Sequence, residues 1–389
     1  MVTYAYDVAV VGGGPAGSAA AFTLANAGVS VCLIDKSKFP RNKLCGGLIT
    51  LRSKGIFEQV FHRQWDENLF TSSRDVHFIS NGRPLASLHN YSTLYFTMRF
   101  DFDAYLLGLA ESVGCKMYLG NAVSVIEFER RRLQLSDGST IEFAHLIGAD
   151  GVNSLCAKYL FGRSFDPRTI GFGLEVEVPR NSLPQRDNSV DIDFGITRWG
   201  YGWVFPKQKT FTVGVGGIHD SNTSMKGSLD QFLCQHGISA ESLHVKGQFI
   251  PFGDFRQRPG RDRDLLCGDA AGFVDPITGE GIAYAMQSGH AAAQAILEAR
   301  KSGKPEIALD VYLRHLVPIF SSLKMANYWK WLIFPTFLRR TFDWAFSDAS
   351  TLQRGYMDIL AGELEYRELP RLFFQQVKKA IRKYIYLKR

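Results

Sequence analysis

Short, wholly apolar runs ending in glycine alternate along the chain with longer stretches in which apolar residues recur every three or four positions. That alternation is what buried parallel strands joined by helices produce. Val8-Ala9-Val10-Val11 and Val31-Cys32-Leu33-Ile34 are two such runs, with a helical stretch through Ala19-Ala20-Ala21-Phe22 between them. The pattern turns helical again over residues 51–61, reads as short strands over 74–97, and predicts a helix over 99–108 with Phe102, Tyr105, Leu106 and Leu109 on one face. Strand-like segments follow at 116–119, 124–128, 132–135 and 140–143, the last two joined by an Asp137-Gly138 turn, which suggests a small three-stranded layer. Leu146-Ile147-Gly148 is then a further strand running into Ala149-Asp150-Gly151. From about 165 to 255 strands and turn residues multiply, a β-rich second lobe. A long helix is expected from Ala283 to Lys301, and a helical region beyond 306.

The first strand ends in Gly12-x-Gly14-x-x-Gly17, with Pro15 and Ala16 inside the motif, and opens directly into a helix. Strand, glycine turn and helix N-terminus together are the dinucleotide fingerprint. Gly12 permits the turn, Gly14 admits a pyrophosphate to the backbone amides, and Gly17 lets the helix lie close to the strand. Asp35 closes the second strand 23 residues after Gly12, where a carboxylate can accept from ribose hydroxyls.

A chain of 389 residues suggests two or three lobes. Its six cysteines form no C-x-x-C pair, so neither a disulfide framework nor a cysteine-based zinc site is indicated, and no metal is expected. A reduced, cytoplasmic setting follows. The first apolar run carries Asp7 and is the fingerprint strand, hence not a signal peptide, and no apolar stretch reaches the length of a bilayer span. The net charge of +7 is concentrated at the end, where residues 371–389 hold seven Lys or Arg and no acid. Phe373, Val377, Ile381 and Tyr384 follow helical spacing there, giving either a basic amphipathic helix on the inner face of an anionic membrane or a docked helix with a solvated basic face. Upstream, Tyr328-Trp329-Lys330-Trp331 and the 337–344 segment interleave aromatic and basic residues, as interfacial segments do. No nucleic-acid module accompanies the charge.

Three further segments carry candidate chemistry. Cys45-Gly46-Gly47, in the loop after the second strand, lets the backbone pass close to something flat. Tyr201-x-Trp203-x-Phe205-Pro206, followed seven residues later by Gly214-x-Gly216, places three aromatics on one strand face, as core packing or as a cavity wall. Leu265-Leu266-Cys267-Gly268-Asp269 aims a carboxylate from a strand end, and Gly281-Ile282 opens a helix whose N-terminus can stabilise negative charge.

These motifs resemble the FAD-dependent geranylgeranyl reductase family, within the wider class of para-hydroxybenzoate hydroxylase, from residue 4 to about 300. The resemblance implies an α/β protein: a Rossmann-type FAD-binding domain (1–165 and 256–305), a β-rich substrate domain (166–255), and a helical C-terminal region (306–389). A segment near 50–98 can join the substrate lobe. By the same resemblance, Gly12, Gly14, Ala16 and Gly17 hold the FAD pyrophosphate, Asp35 and Lys36 the adenosine, and Arg99 and Asp269 the linking phosphate and ribityl chain. Gly281, Ile282 and the Cys45-Gly46-Gly47 segment would lie beside the isoalloxazine. Tyr201, Trp203, Phe205, Pro206, Gly214 and Gly216 resemble the family's substrate-cavity signature. Where hydroxylases carry an arginine, three residues after Ser154, this chain has Ala157, with Lys158 next to it as a substitute.

The implied activity is reduction of carbon-carbon double bonds in a polyprenyl lipid by hydride from reduced flavin, with NADPH or NADH as the electron donor. Cys45 is a candidate proton donor or gate beside the flavin, with packing as the alternative. A flavin monooxygenase or halogenase, and a non-catalytic FAD or lipid-binding protein, are the competing readings.

Overall fold

A computed structural model describes residues 2–369 except 242, 253 and 349. The basic amphipathic tail expected over 371–389 lies outside the described residues. The first sheet has eight strands. Its parallel core runs Asp264–Leu266, Thr140–Gly148, Thr3–Val11, Val31–Asp35, Lys116–Leu119, with Gly260–Arg261 antiparallel at one edge. Val8, Ala9 and Val10 are fully buried between the layers, as a central parallel strand requires. The helices Pro15–Asn26 and Ile282–Lys301 pack together so closely that a side chain at Gly289 would overlap the Ala16 carbonyl.

Two sequence expectations change here. Residues 140–143 and 146–148 form one strand, because Thr140–Gly148 keeps register with Thr3–Val11 along its whole length, from Thr3 opposite Thr140 to Val11 opposite Gly148. The polar interruption, His145, is buried; burial lowers its pKa to about 4 and keeps the ring neutral inside the sheet. The three-stranded antiparallel layer consists of Val123–Glu127, Arg132–Leu135 and the first half of that long strand, while Lys116–Leu119 pairs instead with Val31–Asp35.

The second sheet has seven strands, ordered Lys246–Ile250, Gly171–Pro179, Thr210–Ile218, Tyr201–Pro206, Val190–Asp193, Val76–Ser80 and Arg83–Leu88. Its last two strands come from before the helix Arg99–Ser112, and Val76–Ser80 pairs parallel to Val190–Asp193. Alternation divides this sheet cleanly. Val176, Val178, Val213 and Val215 face the helix Met225–Gln235 through Leu229 and Phe232. The opposite face meets the C-terminal helices Val317–Ile333, Arg339–Asp348 and Ser350–Ala361 through Phe78, Phe194, Phe346 and Tyr356. Phe194 and Tyr356 meet edge to face at 5.1 Å.

Candidate functional site

A single cavity of about 520 Å³ runs from the fingerprint turn of the first sheet to the aromatic face of the second. At the first end, Gly12 takes φ +108°, a left-handed conformation that glycine alone adopts without strain, and a side chain at Gly17 would overlap the Gly12 carbonyl. Gly14 is the N-cap of Pro15–Asn26 and supplies no side-chain cap, so the first-turn amides are free to bind an anion. A Cβ on Gly14 would stand 3.8 Å from Arg41 Nη2 and 3.9 Å from Arg99 Nη2, which puts two guanidinium tips beside those amides. Both arginines pair with buried Asp103: Arg99 Nη2 donates to Oδ2 at 2.7 Å, and Arg41 Nη2 lies 3.1 Å away. Burial disfavours the Arg99 charge, yet Asp103 more than offsets it and the pKa ends raised. Two cations against one carboxylate leave one positive charge over, and Arg41 Nη1 is buried without a partner.

Asp35 accepts from the Gly13 amide at 2.7 Å through Oδ2 and from the Ser37 amide at 2.8 Å through Oδ1. Those bonds fix the carboxylate while each oxygen keeps a lone pair for a hydroxyl. Lys36 is exposed at the cavity rim. Further in, the helix Ile282–Lys301 begins at Gly281 without a side-chain cap, and a Cβ on Gly281 would stand 3.5 Å from Asp269 Oδ1. Two helices therefore open, uncapped, onto the same space. Lys43 faces Asp269 there; burial lowers the lysine's pKa against the pull of that carboxylate.

The other end is built from rings. Tyr201, Trp203 and Phe205 line the cavity from one face of their strand. Opposite them in register stand Gly216, Gly214 and Thr212. Gly216 lies at the cavity wall, but a Cβ there would stand 3.3 Å from Trp203 Cζ3, and one at Gly214 would run into the indole. These two glycines thus clear room for Trp203 to lie flat across the neighbouring strand. Gly214 and Pro206 do not line the cavity. The Tyr201 hydroxyl donates to the Thr278 carbonyl, and Phe205 packs on Phe96 at 5.2 Å. Phe334 and Leu360 from the C-terminal helices complete the apolar wall.

Cys45-Gly46-Gly47 crosses between the two ends. Buried Lys207 Nζ donates to the carbonyls of Gly46, at 2.5 Å, and Thr97, at 2.7 Å. Glu175 Oε1 accepts the Cys45 amide at 3.0 Å. Burial, reinforced by nearby Glu177, pushes the Glu175 pKa up to about 7. The Cys45 thiol accepts the Gly47 amide at 3.3 Å and faces Arg99.

An FAD-binding-domain model matches residues 5–173. A chloroplastic geranylgeranyl diphosphate reductase of Nicotiana tabacum is 32% identical over 322 residues, covering 76% of this chain and 67% of that protein. The chain belongs to the geranylgeranyl reductase family. A relative from Mycobacterium tuberculosis (strain H37Rv), a menaquinone reductase, is 30% identical over 79% of this chain and 81% of its own length. The fold of this family member is shared with a geranylgeranyl bacteriochlorophyll reductase-like protein of Thermoplasma acidophilum (TM-score 0.71, 24% identity, 94% and 93% of the two chains). It is shared too with the flavin-dependent brominase Bmp2 (TM-score 0.68, 19% identity, 98% and 100%).

The cavity fits FAD. The free amides after Gly14, the spare donor of Arg41 and the surplus charge suit a pyrophosphate, Asp35 suits a ribose, and the Gly281 helix end beside Asp269 suits the ribityl chain and the electron-rich edge of a flavin. Of the residues carried over by resemblance, Gly12, Gly14, Pro15, Ala16, Asp35, Lys36, Cys45, Gly46, Gly47, Arg99, Asp269, Gly281, Ile282, Tyr201, Trp203, Phe205 and Gly216 all line the cavity. Gly17 stands behind the turn. Lys158 does not replace the hydroxylase arginine: it is exposed on the helix Leu155–Phe161, away from the cavity, while Ala157 is fully buried under the Ser154 cap. Sequence reading missed Arg41, Lys43, Glu175 and Lys207. The basic pair in the loop after the acid-terminated strand was a usable signal for the first two; Glu175 alternates with Val176, Glu177 and Val178, a pattern that reads as a solvated strand face and so hid it.

Proposed function

We propose that this reductase saturates carbon-carbon double bonds of a polyprenyl lipid, taking electrons from NADPH or NADH. The observation that carries the reading is the row Tyr201, Trp203, Phe205, which closes with ring faces the same cavity that the fingerprint turn opens with amides. Bound FAD supplies a hydride at its N5 position. The chain does the rest. An isolated alkene accepts hydride only as a proton reaches its other carbon, so positive charge develops at a tertiary centre, and aromatic faces stabilise it. Phe334, Leu360 and Ile277 keep water from that centre and match a hydrocarbon tail. Geranylgeranyl diphosphate and menaquinone, for which the relatives are named, share a polyprenyl chain and differ in their head groups, which supports a site that recognises the chain.

The lipid arrives from a membrane surface. Trp199 lines the cavity and meets Trp331 edge to face at 4.6 Å; Trp331 is exposed, as are Tyr328, Leu332, Phe337 and Trp344 along the same C-terminal segment. Exposed Lys324 and Arg340 flank it, the mixture that an anionic interface favours. No described helix is long and apolar enough to cross a membrane, and the contact proposed here is a peripheral one. Anaerobic bleaching of the bound flavin by NADPH, followed by the return of colour on adding geranylgeranyl diphosphate, tests the function. Failure of every polyprenyl lipid to restore colour rejects it, and a product that forms only with oxygen identifies a monooxygenase instead.

A further inference from the structure

At the aromatic end of the cavity two polar atoms lack partners among the described residues, and they belong to facing residues. Glu175 Oε2 and Trp203 Nε1 are both buried without a hydrogen bond, and both side chains line the cavity. In register, Glu175 stands on one side of Gly214 and Trp203 on the other. The indole reaches toward the Glu175 strand, where a Cβ on Gly173 would lie 3.6 Å from Trp203 Cη2. Glu175 is 4% exposed and held at one oxygen only, by the Cys45 amide at 3.0 Å. The charged groups around it are Glu177 on its own strand, Lys207 at the end of the aromatic strand and Lys246 on the neighbouring strand. Lys207 already donates to Gly46 and Thr97. A buried carboxyl anchored at one oxygen, with the other left without a partner at the wall of an apolar chamber, is the geometry of a proton donor.

Resting on the reading above that an alkene is reduced, we infer that Glu175 is the acid that protonates it. The Oε2–H bond breaks as a C–H bond forms at one alkene carbon, and hydride from the reduced FAD bonds to the other. The alkene gains two electrons and the flavin loses them; the resulting carboxylate is reprotonated from solvent. Burial and Glu177 hold the group protonated up to about pH 7, which makes it competent at neutral pH. Cys45, whose sulfur accepts the Gly47 amide and faces Arg99, is oriented as an acceptor and positions the segment.

The test uses the FAD-loaded full chain, reduced by dithionite and mixed anaerobically with geranylgeranyl diphosphate. Wild-type reoxidation is expected to be full at low pH and to fall about tenfold per unit above pH 7. Glu175→Gln should slow it roughly 10²–10⁴-fold while flavin content and dithionite reduction stay unchanged. Infrared spectra provide a readout independent of turnover: a protonated-carboxyl band that fades near pH 7 in wild type and is missing from the variant. Reoxidation that is flat between about pH 6 and 8, a variant within about threefold of wild type, or an infrared band that the substitution leaves in place overturns the inference. A wild-type protein that no polyprenyl lipid reoxidises rejects the reduction itself and this role with it. A normal wild type beside an unimpaired variant rejects the role of Glu175 alone.

Discussion

The two ends of the cavity use glycine for opposite purposes. At the fingerprint end, Gly14 leaves backbone amides bare so that a ligand can reach them, and recognition comes from helix ends and fixed charge. At the aromatic end, Gly214 and Gly216 leave room for one of the protein's own side chains, and recognition comes from the ring laid over them. The first arrangement suits a ligand of invariant shape and charge. The second suits a chain of repeating units that must slide, because a flat apolar wall has no register to enforce.

That contrast can be broken most sharply at Gly17. Gly17→Ala drives a methyl into the Gly12 carbonyl, and the purified variant should be colourless, read as flavin absorbance per chain. Trp203→Ala acts on the other end alone. It should cost about 3–5 kcal/mol of stability, as large aromatic truncations in a core do, and abolish lipid-driven reoxidation, while the protein that remains folded is yellow. Loss of colour in that variant would show that the two ends are one unit.

Glu175 gives the next largest effect. An unfolded glutamate releases its proton near pH 4.3, and the native one near pH 7. The native state therefore holds the extra proton between those values, and its stability falls as pH rises through that window. In the ligand-free protein Glu175→Gln should remove that fall, of order 3 kcal/mol, as measured by urea unfolding at pH 5 and pH 8. Arg41→Ala deletes Nη1, a donor that has no partner among the described residues, and should weaken FAD binding by about 2 kcal/mol, seen as a rise in Kd by flavin fluorescence. Lys36→Ala, at the exposed rim, should change that Kd by less than about 1 kcal/mol.

The fingerprint end was legible in the sequence because its function is carried by spacing: Gly12, Gly14, Gly17 and Asp35 are local, and each backbone demand selects one residue type. The aromatic row was legible for a similar reason, since a period of two fixes the face that Tyr201, Trp203 and Phe205 share. What escaped depends on contacts between distant segments. Glu175 becomes unusual only when Cys45, 130 residues earlier, lends it an amide, and Lys207 matters because it meets the Gly46 carbonyl across 161 positions. The broken reading of Thr140–Gly148 has a related origin: His145 falls in the gap between the two expected runs and is a neutral ring within the layers.

Each sheet borrows from the far side of the other. Val76–Ser80 lies beside Val190–Asp193, and Asp264–Leu266 lies beside Thr140–Gly148. On the ribosome, the first sheet consequently keeps an unzipped margin until residue 266 has emerged, by which time the second already has all its strands. Nascent chains are thus exposed to premature edge pairing for most of their synthesis, and no clip point within residues 76–266 yields two self-sufficient halves.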